Sequence, residues 1–126
     1  MYVEYDEYLE LSAKAIDVEE FTRLAFRAGK KIQSFTHSRI DAMATVPEAV
    51  KRCETELIDI LYAADSVMSG ASGAVSSFSN DGYSENYGEA MNSFYFDGLI
   101  LDTMTDYLAE EYDDRGIPLI YQGVDA

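Results

Sequence analysis

The chain has 126 residues, 48% of them apolar, and a formal net charge of −15 at pH 7. That length supports a single domain with a real core, and one cysteine excludes an intrachain disulfide or a multi-cysteine metal site. So negative a chain is a poor match for nucleic acid or an anionic membrane, which would both repel it.

The charge is also unevenly laid down. Residues 1–20 carry net −6, residues 21–52 net +5 and residues 53–126 net −14, with Arg115 the lone base of the last block. One copy is therefore able to set a basic face against the acidic face of a neighbour, unless helix-to-helix pairs neutralise both within the fold. The first residues are rich in Tyr and Glu, with no basic start or apolar run, and no apolar stretch reaches membrane-spanning length. A soluble, intracellular protein is the expectation.

Residues 2–11 set Tyr2, Tyr5, Tyr8, Leu9 and Leu11 among acids, which suits a short helix or an arm laid against a bundle. Three helix starts then repeat one device, an acceptor three residues before a Glu: Asp17 with Glu20, Thr45 with Glu48, Asn86 with Glu89. The first long helix is predicted over 18–36, with Phe21, Leu24, Ala25, Ala28, Ile32 and Phe35 on one face and Arg23, Arg27, Lys30, Lys31 and Ser34 as a basic ridge.

The second is predicted over 46–68, with Pro47 tolerated in its first turn and an apolar stripe through Val50, Cys53, Leu57, Ile60, Leu61, Ala64 and Met68. Residues 75–87 follow. They carry no charge before Asp81 and hold Asp81-Gly82, a hairpin signal, so they read as a projecting finger or as a solvated loop. A third long helix is predicted over 87–115, closed by Gly116 and Pro118. Ala90, Phe94, Leu101, Met104 and Leu108 share its apolar face, while Asp102, Asp106 and Glu110 form an acidic ridge. Gly98 weakens it by about 1 kcal/mol relative to Ala and suggests close packing or a bend. Residues 117–126 read as an extended apolar tail, either a donor for strand addition to another protein or a cover for its own bundle.

The expected fold is thus all-α: one domain over 1–126, a small bundle of three long helices with a short N-terminal helix, a β-hairpin or loop at 75–87, and the tail. No grouping of reactive side chains stands out. His37 is the only histidine, and Cys53 lies on an apolar stripe, where a thiol is inert. Gly70-Ala71-Ser72-Gly73 is followed by neither Lys nor a helix start, so it is no phosphate loop, and Asp113-Asp114 lacks the spacing of a calcium loop. No enzyme, cofactor or metal is expected.

The order of these parts resembles the head–tail connector (adaptor, or head-completion) proteins of long-tailed bacteriophages and prophages. The resemblance is carried by Tyr-Glu-Tyr-Asp-Glu-Tyr-Leu-Glu-Leu near the N-terminus and by Ile16-Asp17-Val18-Glu19-Glu20-Phe21. It continues through Arg39-Ile40, Val46-Pro47-Glu48-Ala49-Val50-Lys51, Ser79-Asn80-Asp81-Gly82-Tyr83-Ser84 and the closing Leu119-Ile120-Tyr121-Gln122-Gly123. It spans nearly the whole chain, its specificity lying in the order of short pieces.

The resemblance implies a helical subunit of a ring, usually twelvefold, at the head–tail junction of the virion, assembled in the host cytoplasm. The ring would lie below the portal and above a stopper or tail component, with DNA passing through without tight binding. It implies that Leu119, Ile120, Tyr121 and Gln122 reach the portal, and that Phe78, Asn80, Asp81, Gly82 and Tyr83 face the channel or the next ring. The Gly/Ser/Ala-rich residues 69–77 depart from a rigid hairpin stem. Read from the residues themselves, a ring needs one face of a subunit against a different face of the next. Arg23, Arg27, Lys30 and Lys31 against Asp102, Asp106 and Glu110 supply such a pair, or else they pair inside one subunit or stay in water. Two rival readings are an acidic DNA mimic and a small helical regulatory protein that binds a single host protein.

Overall fold

The computed structural model describes residues 1–68 and 82–120, with side chains left undescribed at Met68 and over 82–94. The described residues are helical and hold no strand: α1 (Tyr5–Leu11), α2 (Val18–Phe35), a short 3₁₀ turn (Ile40–Ala42), α3 (Glu48–Met68) and α4 (Gly82–Leu108). The bundle is organised by α3, which packs against both α2 and α4.

The sequence of α2 explains its bounds. The Asp17 carboxylate accepts the Glu20 N–H at 2.9 Å, satisfying one of the four donors a helix start leaves open. At the other end Thr36 closes the helix, its N–H and hydroxyl both donating to the Ile32 carbonyl. His37 and Ser38 then take left-handed φ values of 55° and 62°, which reverse the chain into the 3₁₀ turn. Phe21, Leu24, Ala25, Ala28 and Ile32 are buried and Phe35 is half-buried, as its periodicity predicts.

At the head of α3, Pro47 rather than Thr45 precedes the first helical residue, and its carbonyl accepts from the Val50 and Lys51 N–H groups. Because α3 is sandwiched, it buries more than one stripe. Val50, Cys53, Leu57 and Leu61 point inward as expected, but so do Glu54, Thr55 and Ile58, while Ile60 and Ala64 are only half-buried.

The last helix corrects two expectations. It begins at Gly82, so Gly82 and Tyr83, assigned above to a hairpin, are helical, as is the chain through Tyr87. Ser, Asn and Asp are helix-start residues as much as turn residues, so the sequence before Gly82 satisfies either structure. Phe78, Asn80, Asp81 and the rest of 75–81 lie outside the described residues.

Its other end stops at Leu108, seven residues before Arg115. The residues that follow include Glu110, Glu111, Asp113 and Asp114, and acids are disfavoured at the negative end of a helix dipole. The Asp113 side chain also offers the backbone an alternative, accepting the Arg115 and Ile117 N–H groups at 2.9 Å each. Gly116, with φ +82°, closes this turn instead of ending the helix. Glu110 therefore lies past the helix, and the acidic ridge on α4 is Asp102 and Asp106, both exposed. Leu101, expected inward, is 51% exposed, because Ile100, Met104 and Leu108 at four-residue spacing define the buried face. Gly98 is exposed too, with open space where a side chain would go, so neither close packing nor contact explains it.

Candidate functional site

Residues 2–11 read as a short helix or an arm against the bundle and residues 117–126 as a strand donor or a cover, and the structure ties the first, and the tail as far as Ile120, to the body. At the N-terminus the tie is Glu54, fully buried on α3. Its carboxylate accepts the Val3 N–H at 2.7 Å and the Tyr2 N–H at 3.0 Å to each oxygen. Desolvation raises its pKa, outweighing the opposing pull of those two N–H groups and of the chain's amino terminus.

Gly29 on α2 leaves the room. A Cβ built there would stand 3.1 Å from Glu54 Oε2 and 3.1 Å from the Met1 nitrogen. The Tyr2 hydroxyl donates to Asp41 at 2.9 Å, and Gln33 donates to the other oxygen of Asp41 at 2.7 Å.

Then α1 docks through an aromatic cluster. Tyr8 is fully buried, and Tyr5 and Tyr8 each lie 5.1 Å from the Phe21 ring. The Tyr8 hydroxyl donates to Asp59 at 2.7 Å and accepts the Ile16 N–H, which satisfies a phenol that would be costly to bury alone. Burial of the ring and the neighbouring Asp59 raise the Tyr8 pKa. Lys51 closes the arm against α3 through an ion pair to Glu7 at 2.6 Å.

At the other end the tie is Arg39, in the turn after α2. Its guanidinium donates to the Leu119 carbonyl at 2.9 Å and to the Pro118 carbonyl at 3.3 Å. The Leu119 N–H donates to the Glu111 carbonyl, Tyr112 and Pro118 form an isolated antiparallel bridge, and Asp114 accepts the Ala44 N–H. Leu119 is fully buried and Ile120 packs against the core. The tail is therefore not an unpaired strand as far as Ile120, because two apolar side chains and two carbonyls find partners on their own subunit. Tyr121 and Gln122 lie outside the described residues.

The basic ridge on α2 is also partly answered inside the subunit. Arg23 pairs with Glu20 and Asp65 at 2.8 and 2.9 Å, and Arg27 reaches Asp65 at 3.2 Å. Lys30 lies over the Phe26 ring, 5.6 Å from its centroid. On the opposite helix Asp97, Asp102 and Asp106 are exposed and form no ion pair among the described residues.

Between α2 and α4 runs an open furrow of ≈ 450 Å³, with Lys31 and Phe35 on one wall and Asp97, Ile100, Leu101 and Met104 on the other. Cys53 is buried in the core and its thiol is pushed up to about 12, first by burial and then by Glu56 and Glu54. A thiol so held is not a nucleophile at neutral pH. His37 is exposed at the end of α2. Among the described residues no cluster of three metal-ligating side chains forms, and no helix is long and apolar enough to cross a membrane.

Sequence reasoning missed Glu54 and Phe26. The signal for Glu54 was its place between Val50 and Ile58 at four-residue spacing, on a second inward face of α3. Phe26 left no such signal: an exposed aromatic is recognised only once the core is known. The chain matches no known protein family, no curated protein and no solved structure.

Proposed function

We propose that this protein is a structural subunit of a phage or prophage head–tail connector, forming a ring below the portal and lengthening the DNA channel. One observation supports the reading most: surfaces of opposite sign sit on different helices of one body, with Lys30 and Lys31 on α2 and, on α4, Asp102 and Asp106, which form no ion pair among the described residues. Different faces that complement each other generate a closed ring when the rotation between copies closes. The order of sequence motifs along the chain supports the same reading.

In this reading the subunit is a bundle of three long helices with a short N-terminal helix. Arg23 and Arg27 brace α2 against α3, while Lys30 and Lys31 face the neighbour's acids, Glu110 among them. Portal contact falls to the segment from Tyr121 and Gln122 onward, since Leu119 and Ile120 are engaged by their own subunit. The 75–87 region, Phe78 to Tyr83 included, meets the channel or the next component at the end of α4. Acidic walls repel phosphates, so DNA slides without sticking.

Electron microscopy of the chain mixed with its cognate portal tests the reading. A ring bound to the portal is expected, and a chain without residues 121–126 is expected to fold yet lose that capture. Binding to neither portal nor its own copies, combined with tight one-to-one binding to a basic nuclease or repressor, would replace this reading with the acidic DNA mimic.

A further inference from the structure

We propose that the furrow between α2 and α4 is the seat of a second copy of the same chain, which enters it with Phe26 and Lys30 of its own α2. Both halves of the contact are present on one molecule. The receiving half is apolar at its floor, where Phe35, Ile100 and Met104 meet, and it leaves Leu101 51% exposed at the rim. Asp97 stands beside Leu101 with no ion pair among the described residues. The entering half is Phe26, 63% exposed, with its own Lys30 resting on the ring. It lies on another flank of α2, beside Met1, Tyr2, Gly29 and Gln33, and so does not reach its own furrow.

The spacing of the two halves agrees. Phe26 and Lys30 are four residues apart, about 6 Å along a helix, and Asp97 and Leu101 have the same separation in the opposite order. With the incoming α2 laid antiparallel to α4, Phe26 over Leu101 sets Lys30 over Asp97. Burial then covers two exposed apolar side chains and pairs Lys30 with Asp97, neither of which forms an ion pair among the described residues. The faces used are different, so the contact is heterologous and repeats from copy to copy. This deepens the ring reading, on which it rests, by naming the residues that join neighbours. Each copy carries net −15, so general repulsion opposes the contact. Raising salt to ~0.5 M, where the Debye length falls to about 4 Å, therefore favours assembly, the reverse of a contact held by ion pairs alone.

The test mixes two full-length variants that keep Phe26 and Leu101, Lys30→Cys and Asp97→Cys, at high concentration in ~0.5 M salt under mild oxidation. Both positions are exposed, and the native Cys53 is buried with its thiol pushed up to about 12, so it stays silent. The expected result is a disulfide between the two variants at about ten times the yield of a control pair, Lys30→Cys with Tyr112→Cys. The doubly substituted chain is expected to give a ladder of oligomers. Phe26→Ala in the otherwise native chain is expected to weaken self-association about tenfold or more, the scale of a lost aromatic anchor. Oligomers seen by sedimentation without selective cross-linking would overturn this contact and leave the ring reading standing. Absence of both cross-link and oligomer would overturn the contact as well, and the ring reading would then stand or fall on the portal experiment.

Discussion

The segment at Tyr2 and Val3 and the segment at Pro118 and Leu119 are held by opposite chemistry. At the N-terminus a buried carboxylate, Glu54, gathers backbone N–H groups of Tyr2 and Val3; at the C-terminus a guanidinium, Arg39, gathers the carbonyls of Pro118 and Leu119. Each end also buries an apolar anchor, Val3 and Leu119. The difference is depth. Glu54 sits in the core on the central helix, whereas Arg39 is half-buried on a turn after α2. A carboxylate deep in the core leaves donors stranded if it is lost, while carbonyls near the surface turn to water. The arm is therefore part of the folded body, and the tail is the end more easily released.

The largest expected effect follows from that contrast. Glu54→Ala leaves two N–H groups without their acceptor and opens space in the core, which is expected to cost about 3 kcal/mol in urea unfolding. A loss below 1 kcal/mol would show that the arm does not depend on Glu54. Arg39→Ala is expected to cost less, about 1 kcal/mol, and to raise exchange at the Leu119 amide while leaving Val3 protected. If both amides lose protection together, the two ends are one unit and the contrast fails.

Glycines sharpen the comparison. Gly29→Ala sets a methyl 3.1 Å from the Glu54 carboxylate and is expected to be destabilising by about 1 kcal/mol, with the arm loosened. Gly98→Ala enters open space on α4 and is expected to raise stability by up to about 1 kcal/mol.

The smallest effect is a redistribution with pH. The Asp113 carboxyl is held below its ordinary range, chiefly by the Ile117 N–H. Its contribution is present above the unfolded value and is lost as pH falls through the folded one. Glu54 is raised, so its contribution is full below the unfolded value and is lost as pH rises through the folded one. Acidification from neutral pH is thus expected to loosen the 113–117 turn while the Glu54 clasp on Tyr2 and Val3 holds, read as earlier loss of Leu119 than of Val3 protection. The reverse order would contradict both assignments.

Much of the helical part was legible in the sequence. Asp17 and Glu20 mark the start of α2, and its apolar period names the buried face, because both signals are local. The two faces of α3 were not legible, since a single-stripe reading assumes one neighbour and α3 has two. Glu54 reads as a solvated acid until α2 and the arm are seen to close over it. The end of α4 was misread because Gly116 and Pro118 are strong stop signals, while Asp113 and its acidic neighbours had already turned the chain. The α2–α4 furrow belongs to no segment. It follows from how far apart α3 holds two helices, a distance no local pattern encodes.

Native-state amide exchange of the unmodified chain at neutral pH tests the account at its base. Val3 and Leu119 are both expected to exchange far more slowly than free peptide, with Val3 close to core amides such as Leu57 and Leu119 faster than Val3. Free-peptide exchange at either position would contradict the clasped ends, and equal protection at both would contradict the difference in depth.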